Sequence, residues 1–224
     1  MIITIDGPAA AGKGTLAAAL SKHYRLAYFD TGMIYRAVGL EMVLSGFCVE
    51  DEEKALETAK KMTFERMMEL SAHKDFRSDI GGQAASKVSA IGSVRQALLK
   101  MQQDFSLSPT FADGTPANGA VYDGRDTGTV VCPNADIKFF VTASLEVRAM
   151  RRFKEFVAKG IETTYEKVLE DMITRDKRDS ERAAAPLKPA KDAIIVDTSE
   201  MDEQTEIQTV IDVIEQKIFS TKKL

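Results

Sequence analysis

MIITIDGPAAAGKGT, residues 1–15, puts a short apolar run before a glycine-bounded loop and a lysine, and LAAALSKHY continues it as a helix-forming stretch. Ile2, Ile3 and Ile5 have the make-up of a buried strand. Gly7 to Lys13 follow the spacing G-x-x-x-x-G-K, and strand, glycine loop and helix in that order turn a pattern match into a structural expectation. Glycines at 7 and 12 let the backbone curl so that successive N–H groups point at phosphate oxygens. Lys13 adds a point charge where β and γ phosphates would lie, and the helix adds its positive N-terminal end. Gly7, Pro8, Ala9, Ala10, Ala11, Gly12, Lys13, Gly14 and Thr15 are therefore the candidate ATP-phosphate site. One letter is out of place: the hydroxyl that usually follows the lysine and binds Mg²⁺ in switch-type NTPases is displaced to Thr15, and Gly14 has no side chain to replace it.

Around this opening the chain alternates strand-like and helix-like segments. AYFDT, GAVYDG, DIKFFVTA and AIIVDT read as short buried strands. VRQALLKMQQDF sets Val94, Ala97, Leu98, Met101 and Phe105 on one helical face, and the C-terminal run does the same with Ile207, Val210, Ile211, Ile214 and Ile218. Such alternation predicts α/β architecture: a three-layer P-loop fold with a central parallel sheet and right-handed crossovers. Two regions break the pattern. MTFERMMELSAHKDFRSDI, about 62–80, reads as short strand-like pieces of a small insertion, and SPTFADGTPANGA, 108–120, as a long Pro- and Gly-rich loop.

With 224 residues, 44% hydrophobic and 29% charged, the chain has the composition of one ordinary globular domain. A net charge of −4 argues against a whole-surface attraction to nucleic acid or membrane, so any basic site must be local. No stretch approaches the roughly 18 uncharged apolar residues of a membrane span. No basic region precedes the first apolar run, and cleavage there would remove the phosphate loop. Cys48 and Cys132 read as small buried residues of a reducing compartment. A cytoplasmic protein, acting as a monomer, is expected. His23 and His73 fall in no motif, which disfavours a histidine base.

Gly-Lys-Gly-Thr is the spelling of nucleoside monophosphate kinases, and over most of its length the sequence resembles the bacterial cytidylate kinases. GPAAAGKGT, FDTGMIYRAV, SKVSAIGSVRQALL, DGRDTGTVVCP, RDKRDSERAAAPL and AIIVDTS carry the resemblance, in that order. It implies phosphorylation of CMP and dCMP by ATP with Mg²⁺ held largely through phosphates and water, near Thr15 and Asp123. It also implies a core of 1–30, 83–147 and 183–224, an acceptor-binding region of about 31–82 and a short lid of about 148–182.

Phosphoryl transfer between two polyanions calls for charge neutralisation and in-line geometry, and arginine's planar, permanently charged fork suits both. By resemblance, Arg36, Arg125 and Arg182 clamp the acceptor's phosphate, and Lys13, Arg125 and Arg182 are the catalytic set. Cytosine offers an exocyclic N4 donor beside N3 and O2 acceptors. The resemblance meets these with Asp126 for the donor and Ser86 and Arg95 for the acceptors, sets Arg175 and Asp179 at the sugar, and places Thr31 and Tyr35 on the acceptor side.

Plainer roles stay open. Ser86 can cap a helix, Asp179 can pair with an arginine, Arg178 can be a solvated helix charge, and Asp123 can be a turn residue before Gly124. Arg148, Arg151 and Arg152 begin the lid over ATP, Arg152 being the candidate ATP contact, with helix-surface pairing as the rival for Arg148. Two other functions remain: a kinase for UMP, AMP or a shikimate-like acceptor, which Asp126 with Ser86 and Arg95 disfavours, and a regulatory P-loop NTPase, which Gly14 and the many acceptor-side arginines disfavour.

Overall fold

The five apolar runs form one sheet. In the computed structural model, which describes residues 1–221, β1 (Ile2–Asp6), β2 (Ala27–Asp30), β3 (Ala120–Gly124), β4 (Ile137–Thr142) and β5 (Ile194–Asp197) pair in the order β2-β3-β1-β4-β5, every pair parallel. Residues 222–224, the end of the predicted core segment, lie outside the described residues.

Parallel neighbours need crossover helices, and these cover both faces. On one side Ile3, Ile5, Val121 and Phe139 pack against α1 (Lys13–Tyr24) and α9 (Glu203–Thr221) through Leu16, Leu20, Val210 and Ile214. Ile207, Ile211 and Ile218 join them, so the predicted C-terminal face is the buried one. On the other side Ala120 and Tyr122, the alternate residues of β3, meet α6 (Gly92–Leu107) through Val94 and Leu98, with Ala97, Met101 and Phe105 packed alongside. The three-layer expectation holds. That second cluster runs on without a break through α2 (Thr31–Leu44), α3 (Glu52–Lys61), α4 (Phe64–Ser71) and α5 (Asp79–Val88), so these four helices share the core of the sheet. A separate small cluster of Ala149, Phe156, Val168 and Met172 joins α7 (Leu145–Ala158) to α8 (Tyr165–Glu181).

Two expectations need correction. Residues 62–80 are not strand-like: Thr63 caps α4 by accepting from the Arg66 N–H at 3.2 Å, Met67 and Leu70 bury a face at helical spacing, and Ser78 caps α5. The tertiary groove for that face overrides the short apolar pieces. Cys132 is buried but Cys48, on the turn after α2, is exposed, and both are free thiols. The 108–120 loop is folded back on itself by an antiparallel bridge between Thr110 and Pro116.

The crossing of α2 and α5 matters most to the site, because α5 carries Ser86. A Cβ on Gly39 would lie 2.8 Å from the Ala84 carbonyl carbon and 2.8 Å from its Cβ. Gly39→Ala is expected to lower stability by about 1–3 kcal/mol through overpacking against backbone, read as a shifted urea midpoint; an unchanged midpoint would mean that the two helices are not held at this separation.

Candidate active site

β1 ends at a place where no side chain fits: a Cβ on Gly7 would lie 1.9 Å from the Val141 carbonyl oxygen. From there the loop turns through Ala10 at φ 59° and Gly12 at φ 96° into α1. Most helices here have a side-chain cap, Asp30 on α2 and Ser144 on α7 among them, but α1 has none. Its first N–H groups have no intrahelical acceptor and stand open to an anion. They face a cavity of about 500 Å³ lined from Ala9 to Thr15, while Gly7 and Pro8 are buried beneath and shape the loop without lining it. Lys13 is buried, its Nζ donating to the Pro8 carbonyl at 2.7 Å and standing 4.0 Å from Asp123 Oδ1. Burial, and then Arg125, lowers the lysine pKa to about 8.

The carboxyl ends of β2 and β3 supply the opposite wall. Asp30 accepts from the Gly32 N–H at 2.9 Å, starting α2, and Thr31 donates to the Asp123 carbonyl at 2.8 Å. Arg36, one turn on, donates to the Phe76 carbonyl at 3.1 Å, and Tyr35 lies beneath the Arg95 guanidinium at 5.1 Å. Arg95 is ion-paired with Asp126, while Arg182 Nη2 approaches the same carboxylate at 3.9 Å and has no hydrogen-bond partner. Arg125 donates through Nε to Asp179 at 3.0 Å. Burial alone would raise the Asp179 pKa, but Arg125, Arg175 and Arg182 hold it below the ordinary value. Arg175, whose buried Nε is also unpartnered, is lowered to about 10 by burial and by Arg125. Crowded cations with unfilled donors are what a polyanion would complete.

The three arginines of α7 separate cleanly. Arg148 clips the fold together, donating to the carbonyls of Ala143 and Ala9 and pairing with Asp176 of α8 at 2.7 Å. Arg151 holds Thr198 and Met201 after β5. Arg152, stacked 4.2 Å over Phe156 and paired with Glu155, lines the cavity. Arg178 is not a solvated charge: it donates to Ser86 Oγ at 2.6 Å. Ser86 therefore sits inside α5 rather than capping a helix. Sequence reasoning missed Arg77, which lines the cavity from the turn before α5; its only local signal is its place one residue before the Ser78 cap.

Asp123 carries the metal question. Burial raises its pKa to about 6, Lys13 opposes the rise and Asp30 adds to it. Among the described residues no group of three or more His, Cys, Asp or Glu side chains is placed to cage a metal. Asp123 and Thr15 both line the cavity and offer hard oxygen ligands, too few for an all-protein site. They fit a hard cation that keeps water and phosphate ligands. Gly14 between them adds no ligand oxygen, and a Cβ there would meet Asp123 Oδ2 at the ordinary van der Waals distance of 3.4 Å.

The chain matches the sequence profile of the family described as cytidylate kinase over residues 3–216. It is 50% identical over 201 residues to a cytidylate kinase of Paramagnetospirillum magneticum, covering 90% of this chain and 91% of that one. With a cytidylate kinase of Rhodospirillum rubrum it shares 46% over 221 residues, 99% and 100% of the two chains. A shikimate kinase structure from Bacteroides thetaiotaomicron superposes with a TM-score of 0.50 at 13% identity, over 96% of this chain and 98% of that one, a likeness of fold alone.

Because Asp123 holds its proton more tightly folded than unfolded, its contribution to stability is present below about pH 4 and is lost as pH rises through about 6. The stability of the unmodified protein relative to Asp123→Asn is therefore expected to fall between those values, by ~2–3 kcal/mol at most. Urea titrations of both proteins across pH 4–7 read this directly; a difference that stays flat would mean that the Asp123 carboxylate is not strained by burial.

Proposed function

The chain belongs to the cytidylate kinase family, and from that premise we propose that it transfers the γ-phosphoryl group of ATP to CMP and dCMP, giving CDP and dCDP. The observation that carries this reading is Asp126: a buried carboxylate flanked by Arg95 and Arg182, in the same cavity as the open N-terminus of α1. A carboxylate there complements the N4 amino group of cytosine and opposes the carbonyl of uracil.

The residues take distinct parts. Ala9 to Thr15 offer backbone N–H groups to the triphosphate, and Lys13 exchanges the Pro8 carbonyl for its β and γ oxygens. Arg152 meets ATP from the lid. Arg36, Arg125 and Arg182 clamp the acceptor's phosphate, Arg182 through the donor left unpaired in the free protein. Asp126 accepts from the base, Ser86 and Arg95 donate to it, and Arg175 and Asp179 address the sugar. Thr31 and Tyr35 support this wall through Asp123 and Arg95. The acceptor phosphate is already an anionic nucleophile, so positioning and charge stabilisation carry the reaction and no histidine base is required.

A kinase of this family works with a divalent metal. We take it as Mg²⁺ held by Asp123 and Thr15, partly through water; when bound it neutralises charge on the triphosphate. The same reading assigns 31–82 to acceptor binding and 148–182 to a lid on the core of 1–30, 83–147 and 183–224, closing to exclude water. Free Cys48 and Cys132 and the acidic net charge support a cytoplasmic monomer acting on free nucleotides.

ADP release from Mg·ATP, with CMP, dCMP, UMP, AMP, GMP and shikimate offered singly, tests the reaction. Stimulation chiefly by CMP and dCMP is expected, and slow release indifferent to every acceptor would refute it. Arg182→Ala is expected to lower kcat/KM for CMP by about 10²–10³-fold, as loss of a charge-stabilising donor does. Kinetics like those of the unmodified protein would remove Arg182 from the clamp.

A further inference from the structure

Asp6 ends β1, one residue before the phosphate loop, and belongs to none of the contacts assigned above. It is 3% exposed. Its Oδ1 accepts from the Thr127 N–H and from the Thr127 hydroxyl, and its Oδ2 accepts from the Gly128 N–H, all at 2.8 Å. These donors open the single π turn Thr127–Val131, which follows Arg125 and Asp126 directly. A Cβ on Gly128 would lie 2.7 Å from Thr4 Oγ1, so the turn is pressed against β1 with no room for a side chain.

The carboxylate is chosen against its own solvation. No cation pairs with it among the described residues, and burial raises its pKa even though the three hydrogen bonds pull it down. An apolar side chain would avoid that penalty but leave two backbone N–H groups buried without an acceptor. What only an acceptor-only group with two oxygens can do is hold three donors of one turn at once. The consequence reaches the cavity, because Arg125 and Asp126 are strung between Gly124, in register with Asp6 on β3, and Gly128. The backbone that carries both side chains is therefore anchored on either side, by β3 and by the turn that Asp6 holds.

We propose that Asp6 is a positioning residue for acceptor selection: its carboxylate holds Thr127 and Gly128, and through them the Arg125-Asp126 pair, in fixed relation to the start of the phosphate loop. The inference rests on the reading of Asp126 as the group that distinguishes cytosine from uracil.

The experiment compares kcat/KM for CMP and for UMP in Asp6→Asn, Thr127→Val, Thr127→Ser, Asp126→Ala and the double variant Asp6→Asn with Asp126→Ala, with urea midpoints recorded for each. Asp6→Asn presents an amide N–H₂ to one of the turn's donors, and is expected to lower the CMP to UMP ratio by about tenfold or more, the scale of a lost buried hydrogen bond. KM for CMP should move more than KM for ATP. Thr127→Val should lower the ratio less, and Thr127→Ser should restore it. In the Asp126→Ala background Asp6→Asn should lower the ratio no further, since the reader it positions is gone.

A lowered midpoint with an unchanged ratio would overturn the proposal and leave Asp6 as a structural bond only. If Asp6→Asn does not fold, the Thr127 pair decides: a ratio lowered in Thr127→Val and restored in Thr127→Ser supports the role, and an unchanged ratio ends it. If Asp126→Ala itself leaves the ratio flat, the base-reading assignment fails and takes the positioning role with it. That result is told apart from failure of the Asp6 step alone, in which Asp126→Ala changes the ratio and Asp6→Asn does not.

Discussion

Burying more positive charge than the protein itself neutralises is the constraint on which the rest of this structure depends. Lys13, Arg36, Arg175 and Arg182 all have pKa values lowered by burial, and each is lowered further by a neighbouring arginine. Asp123, Asp126 and Asp179 offset part of it, and two guanidinium nitrogens stay unbonded. A cluster like this is expensive in an empty cavity and favourable around a polyanion. The imbalance is therefore complementary to a polyanion, and the scaffold holds these side chains around one cavity.

That scaffold is the carboxyl edge of the parallel sheet. β1 delivers the phosphate loop, β2 delivers Asp30 and Thr31, and β3 delivers Asp123, Arg125 and Asp126, all at one end, where open parallel sheets bind their ligands. Adjacent strands in register turn sequence-distant residues into neighbours: Ile5 pairs with Asp123 and Asp6 with Gly124. The links across the gap are few and specific. Arg148 ties α7 to the Ala9 carbonyl, Arg178 ties α8 to Ser86, and Asp6 ties the end of β1 to the turn after β3.

Gly14 leaves few protein oxygens for a metal. A Cβ there would meet Asp123 Oδ2 only at the ordinary van der Waals distance of 3.4 Å, so space does not demand a glycine at this position. With the hydroxyl at Thr15 and the carboxylate at Asp123, a hard cation in this cavity would take most of its ligands from water and phosphate.

The glycine loop, the alternation of strands and helices and the clustering of arginines were legible from the amino-acid order alone, because each is written in local spacing: G-x-x-x-x-G-K before a helix, apolar runs of strand length, basic residues at strand ends and helical repeats; which arginines would meet an acceptor was implied only by the family resemblance. Partners were not legible. That Arg148 and Arg151 fasten backbone while Arg152 faces the cavity follows from a helix docking with one face inward, which three neighbouring arginines cannot reveal. The helical nature of 62–80 depends on the face that Met67 and Leu70 bury in the core shared with α2, and the place of Arg77 on the cavity wall that α5 helps to form. Asp6 carries no local signal of a role; only the tertiary structure, by bringing residue 127 within hydrogen-bond reach of it, gave its carboxylate three donors to hold. Short-range spacing specifies elements, whereas the balance of buried charge is settled by contacts between residues far apart in the chain.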